Sequence, residues 1–321
     1  MTKTEENEIS RQLAFFRCAL APMAGVTDAA FRSVCHAYGS HMMYTEMVSA
    51  KGLCHANAKS ESLLQLSKGE PFTGLQLFGS DPDILAQAVE TFANPRPFGF
   101  VDINLGCPAA KVIKNGDGSA LAEDFHRMEK CLRAMARASQ KPVTAKIRIG
   151  SKGRLYGVET ALLLQECGVS AIAVHGRTRE QLYAGNADWN AIAEIVDAVH
   201  IPVIANGDVD SVEKYEAILC ATGACGAMIG RGALGNPFIF AEIRACQKGV
   251  TRPFTHSQKI QVVREHLSLL LEEKGKAALP AFRKHFVWYT KGMPHSAALR
   301  REIQSQETAE GMFDLMDRIE A

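Results

Sequence analysis

The chain has 321 residues, is 47% hydrophobic and carries a formal charge of +1. That is enough chain for one large core and a second, smaller domain. No apolar run approaches the ~18 residues of a membrane span, and the polar start "MTKTEENEISRQ" lacks the apolar core of an export signal. Nine cysteines are scattered with no C-x-x-C pair, which points to reduced thiols in the cytoplasm and against a structural metal site.

Short apolar runs recur along the first three-quarters of the chain. In order they are "CALAPM" (18–23), "HMMYTEM" (41–47), "TGLQLFG" (73–79), "FVDINLG" (100–106), "VTAKIRIG" (143–150), "AIAVHG" (171–176), "IPVIANG" (201–207) and "GAMIGRG" (226–232). Most are continuous rather than alternating, as expected of parallel strands covered on both faces. Helical patterns such as "DILAQAVETFA" and "EDFHRMEKCLRAMARAS" lie between them. Eight such βα units predict a (β/α)8 TIM barrel; a doubly wound sheet is disfavoured because no dinucleotide fingerprint is present.

After Phe240 the strand signals stop. "SQKIQVVREHLSLLLEEKG" (257–275) has helical spacing and ends in a glycine suited to a C-terminal cap, and two further helical stretches follow. The expected division is a barrel over 1–245 and a small all-helical domain over 246–321. Charge divides the same way, at −2 over residues 1–240 and +3 over 241–321. Lys274 to Arg301 holds seven basic residues and no acid, with Phe282, Phe286, Trp288 and Tyr289 interleaved. Such a run is either a solvated helix face or a surface for phosphates, with stacking by some of the rings.

In a barrel of this kind the working face is built from the loops that follow the strands. Gln76, Asn104, Cys107, Lys146, Arg148, His175, Arg177, Asn206 and Arg231 all fall at or near strand ends. "ANGDV" and "MIGRGALGNP" place glycine-rich backbone where this fold commonly holds phosphate. Taken singly, Gly207, Gly230 and Gly232 read as tight turns; two such loops side by side favour a bound anion. Lys146 is nearly mid-strand, where an unpaired ammonium is costly. It could face solvent, form a Schiff base, or offer charge to an electron-accepting ring. His175 reads equally as a satisfied core residue or a ligand-facing one. Cys107, between Gly106 and Pro108, could be a metal ligand, a nucleophile, a proton donor or a small apolar residue; the scattered cysteines disfavour the metal.

The motifs "APMAGVTDAAFR" (21–32), "QLFGSDP" (76–82), "DINLGCPAAKVIKNGDGSAL" (102–121), "KIRIG" (146–150), "VHGRTREQLYAG" (174–185), "IPVIANGDV" (201–209) and "MIGRGALGNPFIF" (228–240) resemble the tRNA-dihydrouridine synthases. The tail segment "RKHFVWYTKGMPHSAALR" (283–300) is similar to that family's helical domain. The resemblance runs in order from about residue 18 to 302. It implies an FMN-dependent enzyme that uses NADPH to reduce the C5–C6 double bond of particular uridines in tRNA. Carried over by position, Pro22, Met23 and Ala24 would line the flavin and Gln76 would bond its ring. Lys146 and His175 would flank that ring. Asn206, Gly207, Asp208, Gly230 and Arg231 would hold the phosphate, and Cys107 would be the catalytic acid. Contacts to tRNA are expected from Asn104, Lys111, Arg148 and Arg177, and from Arg283, Lys284, Lys291 and Arg300 in the tail. A monomer acting on one tRNA, with no metal and no membrane, completes the expectation. One departure is that "SKGRLYG" follows "KIRIG" where many relatives carry a bulky aromatic.

The chemistry suits these residue types. A hydride must reach C6 and a proton C5, and no side chain supplies a hydride. A thiol, with a reference pKa of about 8.5, is mostly protonated at neutral pH, whereas a carboxylate would be ionised. The glycine-containing segment Pro108–Ser119 has the composition of a lid. A uridine within folded tRNA must be turned out of its stack, which contacts elsewhere on the RNA must offset. The competing readings are an FMN-dependent dehydrogenase of a free pyrimidine, of the dihydroorotate type, a barrel aldolase built on Lys146, and a non-catalytic RNA-binding barrel.

Overall fold

The computed structural model describes residues 8–67, 69–251 and 253–320. Eight parallel strands close into a barrel: β1 (Cys18–Leu20), β2 (Met42–Tyr44), β3 (Phe72–Phe78), β4 (Phe100–Leu105), β5 (Val143–Ser151), β6 (Ala171–Thr178), β7 (Val203–Asn206) and β8 (Gly226–Ile229). Each pairs with its neighbour in the chain, and β8 closes onto β1 with Leu20 opposite Ile229. A short strand, Val48–Ser49, extends the edge of β3. Another, Arg154–Leu155, turns back on β5 through Lys152 and Gly153, both with positive φ as a tight hairpin requires. The eight expected units are therefore present, and "SKGRLYG" is this hairpin.

Strand geometry explains how one sequence gives the barrel both a greasy base and a polar mouth. Side chains alternate in and out, so positions two apart point into the barrel in successive layers. Along β3 these are Phe72, Gly74 and Gln76; along β4, Phe100, Asp102 and Asn104; along β6, Ala171, Ala173 and His175. The lowest layer is apolar: Phe100 packs edge-on to Tyr44 with centroids 5.0 Å apart, facing Ala19, Ala171 and Met228 in one cluster. Gly74 makes room for it, since a Cβ there would lie 2.1 Å from the Phe100 ring. Ile9 and Leu13 of the helix Glu8–Phe15 join that cluster and cover the strand starts. Polar residues fill the upper layers and open towards the strand ends.

Helices surround the barrel, and Ile239–Cys246 is the last that packs on it, through Ile239, Phe240 and Ile243. Four helices follow: His256–Lys274, Ala278–Tyr289, Ser296–Ser305 and Ala309–Glu320. The first starts with a capping box between Thr255 and Gln258 and stops at Gly275, whose φ is +54°. Their shared core, with Leu267, Phe282, Phe286, Ile303 and Met316, also takes in Ala30, Val34 and Phe238 from the barrel side. Polar contacts tighten the junction. Glu273 accepts from the Ala30 amide at 2.8 Å, Lys274 pairs with Asp28, and Lys284 donates to the Gly25 carbonyl. Gly235 lies so close to Trp288 that a Cβ would meet its backbone at 2.4 Å.

Candidate active site at the barrel mouth

A cavity of about 690 Å³ opens over the strand ends, within the range of small-molecule sites. Gln76, Asn104, Cys107, Lys146, His175 and Arg231 border it, as do Met23, Asn206, Gly207 and Gly230. The sequence therefore places one residue set, scattered over two hundred positions, around a single space.

Its floor is a chain of oriented hydrogen bonds. Buried Asp102 accepts from Thr144 Oγ1 at 2.6 Å and from Gln76 Nε2 at 2.7 Å. Gln76 Oε1 accepts from Asn104 Nδ2 at 2.9 Å, and Asn104 Oδ1 accepts from the amides of Gly106 and Cys107 at 3.2 and 2.9 Å. Burial pushes the Asp102 carboxyl up to about 6, against the pull of Thr144, Gln76 and Lys146. Lys146 Nζ donates to Asn206 Oδ1 at 3.0 Å, while Asn206 Nδ2 donates to the Met228 carbonyl at 2.8 Å. Burial, helped by Arg148, brings Lys146 down to about 8, so most of it stays an ammonium at neutral pH. His175 is pushed down to about 2 by burial and by Lys146, Arg148, Arg177 and Arg231 around it. It is a neutral imidazole across the physiological range.

Cys107 is held from both sides. Asn104 takes its amide, and Ser119 takes its carbonyl twice, through Oγ at 2.8 Å and N at 3.2 Å. The segment expected to act as a lid is folded here. It forms the short helix Ala110–Lys114 and a turn that returns to Cys107. Gly118, with φ +60°, passes so close that a Cβ would sit 3.1 Å from Cys107 Cβ.

At the other end of the cavity the expected phosphate cradle is mixed in character. Gly207 and Gly232 are required by the protein itself. A Cβ on the first would lie 2.5 Å from Ala187 and on the second 2.2 Å from the Val209 carbonyl. Gly230 is different: a Cβ there would meet only ordinary contacts, Ala21 at 3.6 Å and Met23 at 3.8 Å. Its missing side chain leaves room in the cavity. The Asp208 carboxylate borders the cavity and is tied to donors of the protein. It takes two bonds of 2.7 Å from Arg177 and one from the Ala187 amide, which hold it below the usual carboxylate range although burial opposes this. Arg231 is half exposed, 3.3 Å from Asp208 and 4.7 Å over the Tyr183 ring.

The residues expected to meet RNA fall into three groups. Lys111, Lys291 and Arg300 are exposed, and Lys291 borders the cavity together with Trp288. Asn104 and Arg148 face the cavity but also support it; Arg148 donates to the carbonyls of Gly106, Thr178 and Leu182. Arg177 corrects the expectation, whereas Arg283 and Lys284 are partly exposed and each also bonds within the protein. Arg177 is 1% exposed and committed to Ala184, Gly185, His175 and Asp208. Arg283 donates to the Gln306 carbonyl and Lys284 to that of Gly25. Of the four aromatics in the basic run, Phe282, Phe286 and Tyr289 are buried, and Trp288 alone among them borders the cavity.

Sequence reasoning passed over Asp102 and Tyr183. A carboxylate inside the apolar run "FVDINLG" was the available signal for the first. Nothing in the sequence distinguishes Tyr183, which is brought to the mouth by the loop after β6.

A model of the dihydrouridine synthase family matches residues 19–320. The chain belongs to the dihydrouridine synthase family. Two relatives show how evenly the likeness runs. The chain is 39% identical over 302 residues to tRNA-dihydrouridine synthase B of Shewanella oneidensis, covering 93% of each protein. It is 40% identical over 306 residues to probable tRNA-dihydrouridine synthase 1 of Synechocystis sp., covering 94% of this chain and 86% of that one. Among solved structures, histamine dehydrogenase from Rhizobium sp. 4-9 aligns with a TM-score of 0.54 at 10% identity, over 79% of this chain and 49% of that one. That match speaks for the barrel fold alone.

Proposed function

We propose that the protein reduces the C5–C6 double bond of uridines in tRNA, with FMN held in the barrel mouth, NADPH as reductant and Cys107 as proton donor. The observation that carries the reading is one cavity joining a donor-rich floor to a thiol fixed on both sides of its backbone, in a member of this family. The residues fit the cofactor. The space left by Gly230, the donors Gln76, Lys146 and His175, and the exposed guanidinium of Arg231 suit a ring with acceptor atoms and a phosphate. Met23 and Ala24 would border the ring, and backbone at Gly207 and Gly230 would approach the phosphate. Bound there, FMN would supply the hydride that no side chain can.

The chain's own residues do the rest. Lys146 and His175 would offer positive charge and a donor to the ring held there. Asn104 and Ser119 hold Cys107 so that its Sγ proton is delivered to C5 of a base lying in the cavity. Arg148 braces the Gly106 carbonyl and so the same turn. We assign residues 1–245 to cofactor and chemistry and 246–321 to RNA, with Lys291, Arg300 and Lys111 meeting phosphates. Trp288 extends the cavity wall towards the helical region. We place the protein in the cytoplasm, where its nine unpaired cysteines stay reduced, and read it as a monomer acting on one tRNA.

The test is direct. Purified protein should bind FMN and turn yellow, and with NADPH and tRNA lacking the modification it should produce dihydrouridine detectable by mass spectrometry. Protein that takes up no FMN, or that acts on free pyrimidine alone, would overturn the reading.

A further inference from the structure

Apart from Lys146, the polar side chains at the cavity floor can each present either a donor or an acceptor to a ligand. Gln76, Asn104 and Asn206 are amides that can flip, and His175 has two tautomers. The groups beneath them remove that freedom. At one end of the chain Asp102 is an acceptor and binds Gln76 Nε2. At the other end the amides of Gly106 and Cys107 are donors and bind Asn104 Oδ1. The two amides between can satisfy both ends only head to tail, with Asn104 Nδ2 on Gln76 Oε1, which is the arrangement found at 2.9 Å. Asn104 Oδ1 is thereby filled by two bonds, Gln76 Oε1 is turned to Asn104, and each amide nitrogen keeps one further hydrogen.

The same logic applies across the cavity. Asn206 Nδ2 is fixed on the Met228 carbonyl, so its Oδ1 faces Lys146, whose ammonium keeps two hydrogens. Arg177 can only donate, and its Nη1 lies 3.3 Å from His175 Nε2. That nitrogen must therefore accept, which leaves the proton on Nδ1. Arg177 is itself held by the Ala184 and Gly185 carbonyls and by Asp208, so it cannot swing away freely.

We infer that Asp102 and Arg177 are positioning residues that fix which atoms of the cavity floor are donors: Gln76 Nε2, Asn104 Nδ2, Lys146 Nζ and His175 Nδ1. Neither borders the cavity; each acts through the side chain above it. The consequence for recognition rests on the function proposed above. Such a floor takes a heterocycle edge made of carbonyl oxygens and unprotonated nitrogens, and it favours negative charge gathering there. A ring that offers fewer acceptors at these four positions would leave donors unpaired and bind more weakly.

The tautomer is the sharpest test because it needs neither cofactor nor turnover. In full-length 15N-labelled protein, the His175 ring nitrogens are assigned by comparison with His175→Gln and followed from pH 5.5 to 8.5. The expected spectrum shows Nδ1 protonated and Nε2 bare throughout, with Lys146, Arg148, Arg177 and Arg231 around the ring holding it neutral and Tyr183 beside it. An Nε2-protonated ring, or titration inside that range, would overturn the assignment. Arg177→Lys should keep the tautomer and Arg177→Met should let both populate.

For Asp102, FMN affinity is the readout. Asp102→Asn can still turn an oxygen to Gln76 and should stay within about threefold of the parent, whereas Asp102→Ala should bind roughly tenfold more weakly or worse. Should the alanine variant not fold, Asp102→Ser takes its place. Equal losses in both variants, or none, would remove Asp102 from this role. If the parent protein binds no FMN, the functional reading falls, while the histidine spectrum still decides the orientation of the floor.

Discussion

Asp102 and Arg177 lie buried beneath the barrel mouth, whereas Lys274, Arg283 and Lys284 sit half-buried on the helical region where sequence places a basic surface. The buried charges orient groups that keep hydrogens for a ligand. Those of the tail, nearer to water, are tied to Asp28, Gln306 and Gly25. Exposure is thus a poor guide to availability. The partner inventory of each charged group decides whether it serves the fold or a ligand. In the same basic run Lys291 remains exposed, and Arg300, also exposed, donates only to Ser296 on its own helix.

This contrast can be broken at several points. The largest expected effect is at the mouth: Cys107→Ala should lower turnover on tRNA by roughly 10²- to 10⁴-fold, the range of a lost proton donor, with flavin content unchanged. Rapid-mix kinetics and absorbance give both numbers. Next comes a buried pair that serves structure alone. Arg32 and Glu70 are each about 1% exposed, and Arg32 also binds the carbonyls of Thr27 and Gln65. Arg32→Ala should cost about 3–5 kcal/mol in urea unfolding because Glu70 loses its counter-charge. A cost below 1 kcal/mol would show that the site relaxes or admits water.

Asp102 gives a pH signature. Its folded carboxyl is raised to about 6 from a reference of 3.8, so the folded state holds this proton longer than the unfolded chain. Its stabilising contribution is full below pH ~4 and is lost as pH rises through about 6, a change of roughly 2–3 kcal/mol. Comparing cofactor-free parent and Asp102→Asn, the parent's relative stability should fall between pH 4 and 7. A flat difference would mean that the carboxyl is not raised. The smallest effects separate two lysines of one tail. Lys291→Ala should weaken tRNA binding and reduce the salt slope by about one. Lys284→Ala should leave the slope unchanged and cost about 1 kcal/mol of stability through its lost bond to Gly25. A reversed pattern would contradict the assignment of the two charges.

Most of the fold was legible because its signal is periodic. Continuous apolar runs at βα spacing marked all eight strands, and the apolar stripe ending in Gly275 marked the helix His256–Lys274 within a residue. The ring of site residues was legible because polar groups at strand ends are costly unless used. What stayed hidden depends on tertiary pairing. Arg177 looks like a free cation in "HGRTRE", and only the return of the loop at Ala184–Gly185 and of Asp208 shows it enclosed. Lys284 and Arg283 sit one residue from buried Phe282 and His285, and a helical wheel does not reveal a carbonyl brought in from residue 25 or 306. The lid composition of Pro108–Ser119 likewise gave no hint that Ser119 closes back on Cys107.

The central claim, reduction of a uridine presented by RNA, is best tested in a single turnover. Protein loaded with FMN is reduced without air and mixed with tRNA lacking dihydrouridine or with free uridine. The account predicts reoxidation by tRNA at least about 100-fold faster, since binding energy from the rest of the RNA supports the reacting base, with one dihydrouridine formed per flavin. Equal rates with both, or reoxidation that leaves the tRNA unchanged, would contradict it.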